Sequence, residues 1–150
     1  MAIQKKDLFH GAALTQIVEH ERFKALNKAD DRRYGHYLMN HNVVLSVKYA
    51  TTARQSSYSF TFSPEDIESI KRDALSGKEA FVVLVCGEAV IACLTFDDIQ
   101  DKFEFDVDAA QSLRVRVDPG KRLRVTGGKG ISELLIPRSR FPDCLFEVAH

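Results

Sequence analysis

Hydrophobic and polar positions change period several times along the chain, and each change marks an element. Over residues 7–27 (DLFHGAALTQIVEHERFKALN), Leu14, Ile17, Val18, Ala25 and Leu26 recur at roughly helical spacing, the pattern of a helix with one buried face. Asp7 is placed to cap its start, and Asn27 with Lys28 to end it. The polar residues 28–33 (KADDRR) then read as a loop. Strand-like runs follow at residues 33–40 (RYGHYLMN) and 43–51 (VVLSVKYAT), flanking the turn residues Asn40, His41 and Asn42. Another, residues 58–62 (YSFTF), puts Tyr58, Phe60 and Phe62 on one side. Together these runs predict a three-stranded antiparallel meander. Residues 63–66 (SPED) give the clearest local signal. Ser63 caps, Pro64 takes the first helical position, and Asp66 completes a capping box. Ile67, Ile70, Ala74 and Leu75 then form an apolar stripe that Gly77 ends.

Beyond Gly77 the alternation disappears. Residues 80–86 (AFVVLVC) and 89–95 (AVIACLT) are apolar on both faces and flank Gly87-Glu88. They predict a hairpin in a sheet covered on both sides. Thr95 and Asp98 predict a short capped helix, and residues 104–108 (EFDVD) a strand. Residues 112–128 (SLRVRVDPGKRLRVTGG) predict a second hairpin, and Pro137 and Pro142 break the remainder into short strand and loop. The expected architecture is a single compact α+β domain: N-terminal helix, three-stranded antiparallel meander, helix, buried β-hairpin, then a C-terminal β-rich segment.

Composition narrows the class. A chain of 150 residues, 45% hydrophobic and 28% charged, can bury the core of one globular domain. The longest apolar run, residues 80–87, is too short to cross a bilayer. Residues 1–14 lack the apolar stretch of a secretory signal. No membrane partner is therefore expected. Cys86, Cys93 and Cys144 are odd in number and form no CxxC pair, so they read as reduced thiols in a cytoplasmic protein with no zinc site. The formal net charge is zero, yet residues 1–60 carry a net +4, residues 61–110 a net −8 and residues 111–150 a net +4. If the two basic segments fold together they make a local basic face.

Register decides which side chains share that face. Pairing Met39 with Val43 sets His36 opposite Ser46 and Tyr34 opposite Lys48. Tyr37, Met39, Val43, Leu45, Val47 and Tyr49 then form an apolar side. The other side gathers Tyr34, His36, Ser46 and Lys48, extended by Ser59 and Thr61. Histidine transfers protons near neutrality, lysine neutralises a phosphate or a developing oxyanion, and tyrosine stacks on a base. Those four residues are the candidate catalytic set for phosphodiester cleavage, and RNA binding would use the same groups. The plainer alternative is the solvated side of a meander.

The order helix, three strands, helix, strand over residues 7–86 resembles the core of the PD-(D/E)XK nuclease superfamily. That resemblance implies a divalent metal held by a helix glutamate, a strand aspartate and an acidic-x-Lys pair. The counterparts are Glu19, Asp31 and Ser46-Val47-Lys48. Ser46 stands where a carboxylate is expected, and serine is a poor sole ligand for a hard cation. Lys48 falls on the second strand signal, not the third. The resemblance thus implies a metal-independent or inactive relative ahead of an intact nuclease. The stretches HGAALTQIVEH, YGHYLMN, VKYAT, FTFSPEDI and FVVLVCGEAVIACL are also similar to a group of small uncharacterised bacterial proteins. That likeness implies a bacterial domain and no particular activity.

Arg114, Arg116, Arg122 and Arg124 surround the turn Asp118-Pro119-Gly120-Lys121 and are candidate binding residues. Keeping Leu113, Val115, Val117, Leu123 and Val125 together requires an odd loop or a bulge, which sets Arg116 opposite Arg122 or Arg124. Directly opposed like charges cost up to about 1 kcal/mol. Glu104, Asp106 and Asp108 on a neighbouring strand would relieve them, and chain adjacency favours this; a bound anion or nucleic acid would also do so. GGKG (127–130) lacks the context of a phosphate loop. Asp97, Asp98 and Asp101 read as a solvated helix face, and Cys86 lacks a basic partner. The sequence therefore points to a cytoplasmic bacterial binding module without a cofactor, its partner DNA, RNA or a protein. The alternative is a nuclease-like phosphodiesterase with an incomplete PD-(D/E)XK-type site and a divalent metal.

Overall fold

A computed structural model describes residues 2–29, 33–127 and 133–147. The first helix, α1 (Lys5–Val18), opens at Gln4, with Asp7 returning a hydrogen bond to the cap backbone. It ends well before residue 27, where the periodicity had placed its end. The cause is a contact distant in sequence. The Asn40 side chain accepts from the backbone N–H groups of Lys24 and Ala25 at 2.8 and 3.1 Å and donates to the Arg22 carbonyl at 3.1 Å. Held in this way, Leu26–Lys28 becomes strand β1, with Leu26 opposite Met39.

Strands β2 (His36–Met39) and β3 (Val43–Ala50) complete a three-stranded antiparallel meander. Met39 pairs with Val43 and His36 with Ser46. Asn40 and His41 make the turn at positive φ, 50° and 66°, as a tight hairpin requires. Residues 58–62 were expected as the meander's third strand, but β1 fills that role. Strand β4 (Ser57–Phe62) leaves for a second sheet and pairs with β7 (Gln111–Arg116). The vacated edge of β3 is taken by β5 (Glu79–Cys86), which runs parallel to it after the crossover through α2 (Pro64–Ala74).

The hairpin of β5 and β6 (Val90–Thr95) completes the first sheet, ordered β1-β2-β3-β5-β6. The second sheet is ordered β4-β7-β8-β9, with β8 at Leu123–Gly127 and β9 at Leu134–Ile136. The absence of alternation in β5 now has its cause. Phe81, Val83 and Val85 pack with Ala13 and Ile17 of α1 and with Leu145 in the 3₁₀ turn Asp143–Phe146. Val82, Leu84 and Cys86 pack on the opposite side with Phe60, Phe62, Leu113 and Val115 of the second sheet and with Ile67 and Ile70 of α2. Each large apolar side chain so buried contributes roughly 1.5–3 kcal/mol. The short helix α3 (Phe96–Ile99) is capped by Thr95 with Asp98, as its sequence predicts.

Residues 104–108 do not form the expected strand. The Gln111 side chain clamps the Glu104 backbone, accepting from its N–H at 2.8 Å and donating to its carbonyl at 2.7 Å. Since β4 already occupies the adjacent edge of β7, Arg114 and Arg116 face Ser59 and Ser57 and not Glu104, Asp106 and Asp108. Arg116 does lie opposite Arg124. Relief comes from the hairpin turn and from the residue just before β9: Asp118 is 3.1 Å from Arg116, and Glu133 is 3.4 Å from Arg124. The expectation of three reduced thiols also fails, because Cys93 on β6 is joined to Cys144 in a disulfide. Cys86 remains a buried free thiol, pushed up to about 12 by burial. Among the described residues, no helix is long and apolar enough to cross a membrane.

Candidate functional site: a cleft between the sheets

Where β3 and β4 part company, a cleft of about 310 Å³ opens between α1, the start of β2, and the first turn of α2. Helix α1 buries His10, Ala13 and Ile17 on one stripe, the i, i+3, i+7 spacing of a helix face. His10 is 4% exposed and lies at the cleft wall. Gly35, at φ +78°, lets the backbone pass against it; a Cβ there would lie 2.6 Å from the Val47 carbonyl oxygen and 2.8 Å from His10 Cε1. Only glycine adopts this conformation at such close range without strain.

The turn at Gly35 also redirects Tyr34. The expected pairing of Tyr34 with Lys48 does not form, since β2 begins at His36. The Tyr34 ring instead leans on His10, with centroids 4.6 Å apart, and the Lys6 ammonium sits 4.7 Å from its centroid. Tyr34 still lines the cleft and is 55% exposed there. The edge of His10 meets Tyr49 at 5.6 Å.

Strand β3 supplies Ser46 and Lys48 from its other face. Lys48 Nζ is 2.9 Å from Asp66 Oδ2 and 5.0 Å from the Phe62 ring centroid. Arg33 reaches Asp66 Oδ1 at 2.8 Å. Asp66 is the capping-box residue of α2 and accepts the Ser63 backbone N–H at 3.0 Å. Burial alone would raise its carboxyl pKa. Hydrogen bonds from Lys48 and Ser63, with the charges of Lys48 and Arg33, outweigh burial and hold it below the ordinary carboxylate value. His10 moves down as well, because burial and the nearby Lys48 and Lys6 disfavour its cation more than Asp7 favours it. Its imidazole is therefore neutral at pH 7.

Two buried polar atoms in this wall, His10 Nδ1 and Ser46 Oγ, have no hydrogen-bond partner among the described residues. Such atoms typically cost about 1–3 kcal/mol each. Both residues line the cleft, so a bound ligand with a donor and an acceptor could satisfy them.

The four-residue face read from the sequence is divided. Tyr34, Ser46 and Lys48 share the cleft, with Ser59 and Thr61 of β4 on its far wall. His36 lies in a separate hollow of about 190 Å³ beside α2, with Nε2 2.8 Å from Asp73 Oδ2. Glu19 is the C-cap of α1, about 13 Å along the axis from His10 at ~1.5 Å per residue. Asp31 lies outside the described residues. The described residues hold no group of three or more His, Cys, Asp or Glu able to hold a metal ion. The cleft's acid, Asp66, is engaged by two cations, and Ser46 offers a neutral hydroxyl. This donor set does not fit a divalent metal. Arg114, Arg116 and Arg122 are exposed and Arg124 is partly so, near or on the outer side of the second sheet.

Sequence reasoning passed over His10, Arg33 and Asp66 as site residues. A histidine on the apolar stripe of α1 was a usable signal for the first. Asp66 was legible only as a cap, since its pairing with Lys48 depends on how α2 returns over β3. No protein-family model, curated protein or solved structure matches this chain.

Proposed function

We propose that the protein is a nucleic-acid-associated binding module, in which the cleft takes a phosphate and Tyr34 stacks an adjacent base. The observation that carries this reading is the exposed Tyr34 ring beside Lys6, set at the mouth of a cleft holding Lys48 and Arg33. Cations track the backbone and an aromatic platform takes the base in single-strand recognition generally. Lys48 and Arg33 bring two cations to the cleft, and the unpartnered His10 and Ser46 add polar contacts without charge.

Fluorescence anisotropy with labelled single-stranded DNA and RNA tests it. Lys48→Ala should weaken binding about 10-fold and make its salt dependence shallower by ~0.7 in log–log slope. Tyr34→Ala should weaken it by a factor corresponding to about 1–3 kcal/mol, while Tyr34→Phe retains affinity. Absence of saturable binding at low salt, in protein that melts cooperatively, would end the reading.

A second reading, a phosphodiesterase working without a metal, draws on two observations. Lys48 lies on β3, the third strand of the first sheet, where the nuclease resemblance puts its lysine. His10 is a neutral imidazole in the same cleft, the form that accepts a proton from a nucleophilic hydroxyl. RNA cleavage that survives chelator and is lost in His10→Gln would favour it; intact RNA under all conditions would leave binding alone.

A further inference from the structure

We infer that the outer face of the second sheet is the approach track to this cleft, so that the ligand is a single strand of several nucleotides and not a mononucleotide. This rests on the binding reading above and specifies its ligand. Ser59 joins the two regions. It lines the cleft, and it also lines a pocket of about 280 Å³ with Ser112, Arg114 and Thr126. On the outward side, Thr61 pairs with Ser112, Ser59 with Arg114, and Ser57 with Arg116. Arg114 then pairs with Thr126, and Arg116 with Arg124.

Every one of these outward positions carries a hydroxyl or a guanidinium, and none carries a carboxylate. Hydroxyls and guanidiniums are the side chains that contact phosphate oxygens. The face runs about 10 Å from β8 to β4, two interstrand spacings of ~4.8 Å, and ends at the cleft rim. Arg114 has no ion-pair partner among the described residues. Arg116 and Arg124 are 56% and 43% exposed, and their carboxylate partners sit at the margins, Asp118 in the hairpin turn and Glu133 before β9. Exposed pairs of this kind are weak, so a phosphate can displace them.

The observations favour nucleic acid over a protein partner because the positions from β4 to β8 offer no apolar centre; Leu135 on β9 lies beside Arg124 at the far side. A protein interface would place apolar and aromatic groups at its middle. They favour a single strand because the track leads into a confined cleft whose aromatic ring can stack only on an unpaired base.

The test compares a mononucleotide, a single-stranded RNA of about eight nucleotides, its duplex, and an acidic peptide, each with the wild-type chain, Arg114→Ala/Arg116→Ala and Lys48→Ala. Wild type should bind the oligonucleotide more tightly than the mononucleotide. The double arginine variant should lose about 10-fold or more toward the oligonucleotide and about 1.4 from the log–log salt slope, two phosphates at ~0.7 each. It should bind the mononucleotide as wild type does, and circular dichroism should show it folded. Equal affinity for mononucleotide and oligonucleotide, or an unchanged slope in the double variant, overturns the track and leaves the cleft reading standing. Oligonucleotide binding that ignores Lys48→Ala but needs the arginines overturns the cleft reading instead. Preference for duplex or acidic peptide overturns the single-strand assignment.

Discussion

If the cleft takes a phosphate as proposed, Asp66 sets fold stability against ligand affinity. Its carboxylate receives Lys48 at 2.9 Å and Arg33 at 2.8 Å while closing the capping box of α2. Asp66→Asn keeps a capable capping side chain and removes the charge. The three side chains are 17%, 26% and 22% exposed in the order Asp66, Lys48, Arg33. That places the pairs between exposed ion pairs, worth at most about 1 kcal/mol, and fully buried ones, whose disruption costs about 3–5 kcal/mol. A loss of about 2 kcal/mol is expected, which lowers Tm by roughly 4–8 °C in a chain of this size. Differential scanning calorimetry reads it. Because the folded carboxyl pKa is held below its ordinary value of 3.8, its contribution is complete above that pH and disappears as pH falls through the folded value. The variant should therefore lose less stability than wild type on acidification below pH 3.8. In the same variant Lys48 is released toward phosphate, and affinity for single-stranded nucleic acid should rise about 10-fold, ~1.4 kcal/mol, at low salt. An unchanged Tm would refute the ionic hub. A lower Tm with weaker binding would refute the competition, and would make Asp66 a residue that holds the cations in position.

Three further outcomes follow from the same geometry. Gly35→Ala puts a Cβ against Val47 and His10 at positive φ and should cost about 3 kcal/mol in urea unfolding; a loss under about 0.5 kcal/mol would mean the contact relaxes freely. His10 has a folded pKa below 6.5, so the unfolded chain binds its proton first. Stability should fall by up to ~1.4 kcal/mol per pH unit as pH drops from 6.5 toward the folded value. His10→Gln should flatten that part of the profile; an identical profile in the variant would assign the slope to other groups. Ellman's reagent should find no reactive thiol in native protein and one per chain in denaturant without reductant, since Cys86 is buried and Cys93 is joined to Cys144; three would show the link open.

Local signals carried much of the fold. The capping boxes at Ser63 and Thr95, the turn at Asn40 and the doubly apolar hairpin of β5 and β6 depend on neighbours in the chain and were legible. So was the register of His36 with Ser46, because a slip by one residue would have mixed Leu45 and Val47 with Ser46 and Lys48. The errors share one cause, a partner far away in sequence. Residues 19–27 look helical until Asn40 fixes their backbone. Residues 104–108 look like a strand until β4 occupies the position beside β7. The cleft followed the same division: Lys48 and Ser46 could be placed by alternation, whereas their meeting with His10 and Asp66 required knowing which helix covers which face.

The chain leaves the first sheet after β3, lays β4 into the second sheet, and returns through α2 to a strand parallel to β3. That detour works as a hinge pin driven through both leaves. Neither sheet can be excised as a fragment, because the residues joining β3 to β5 include an edge strand of the other sheet. Lys48 and Asp66 stand at the two ends of this excursion, and α1 with the start of β2 closes the cleft around them. A ligand seated between them clamps the two sheets at their seam, so occupancy of the site should be felt as resistance of the whole molecule to unfolding.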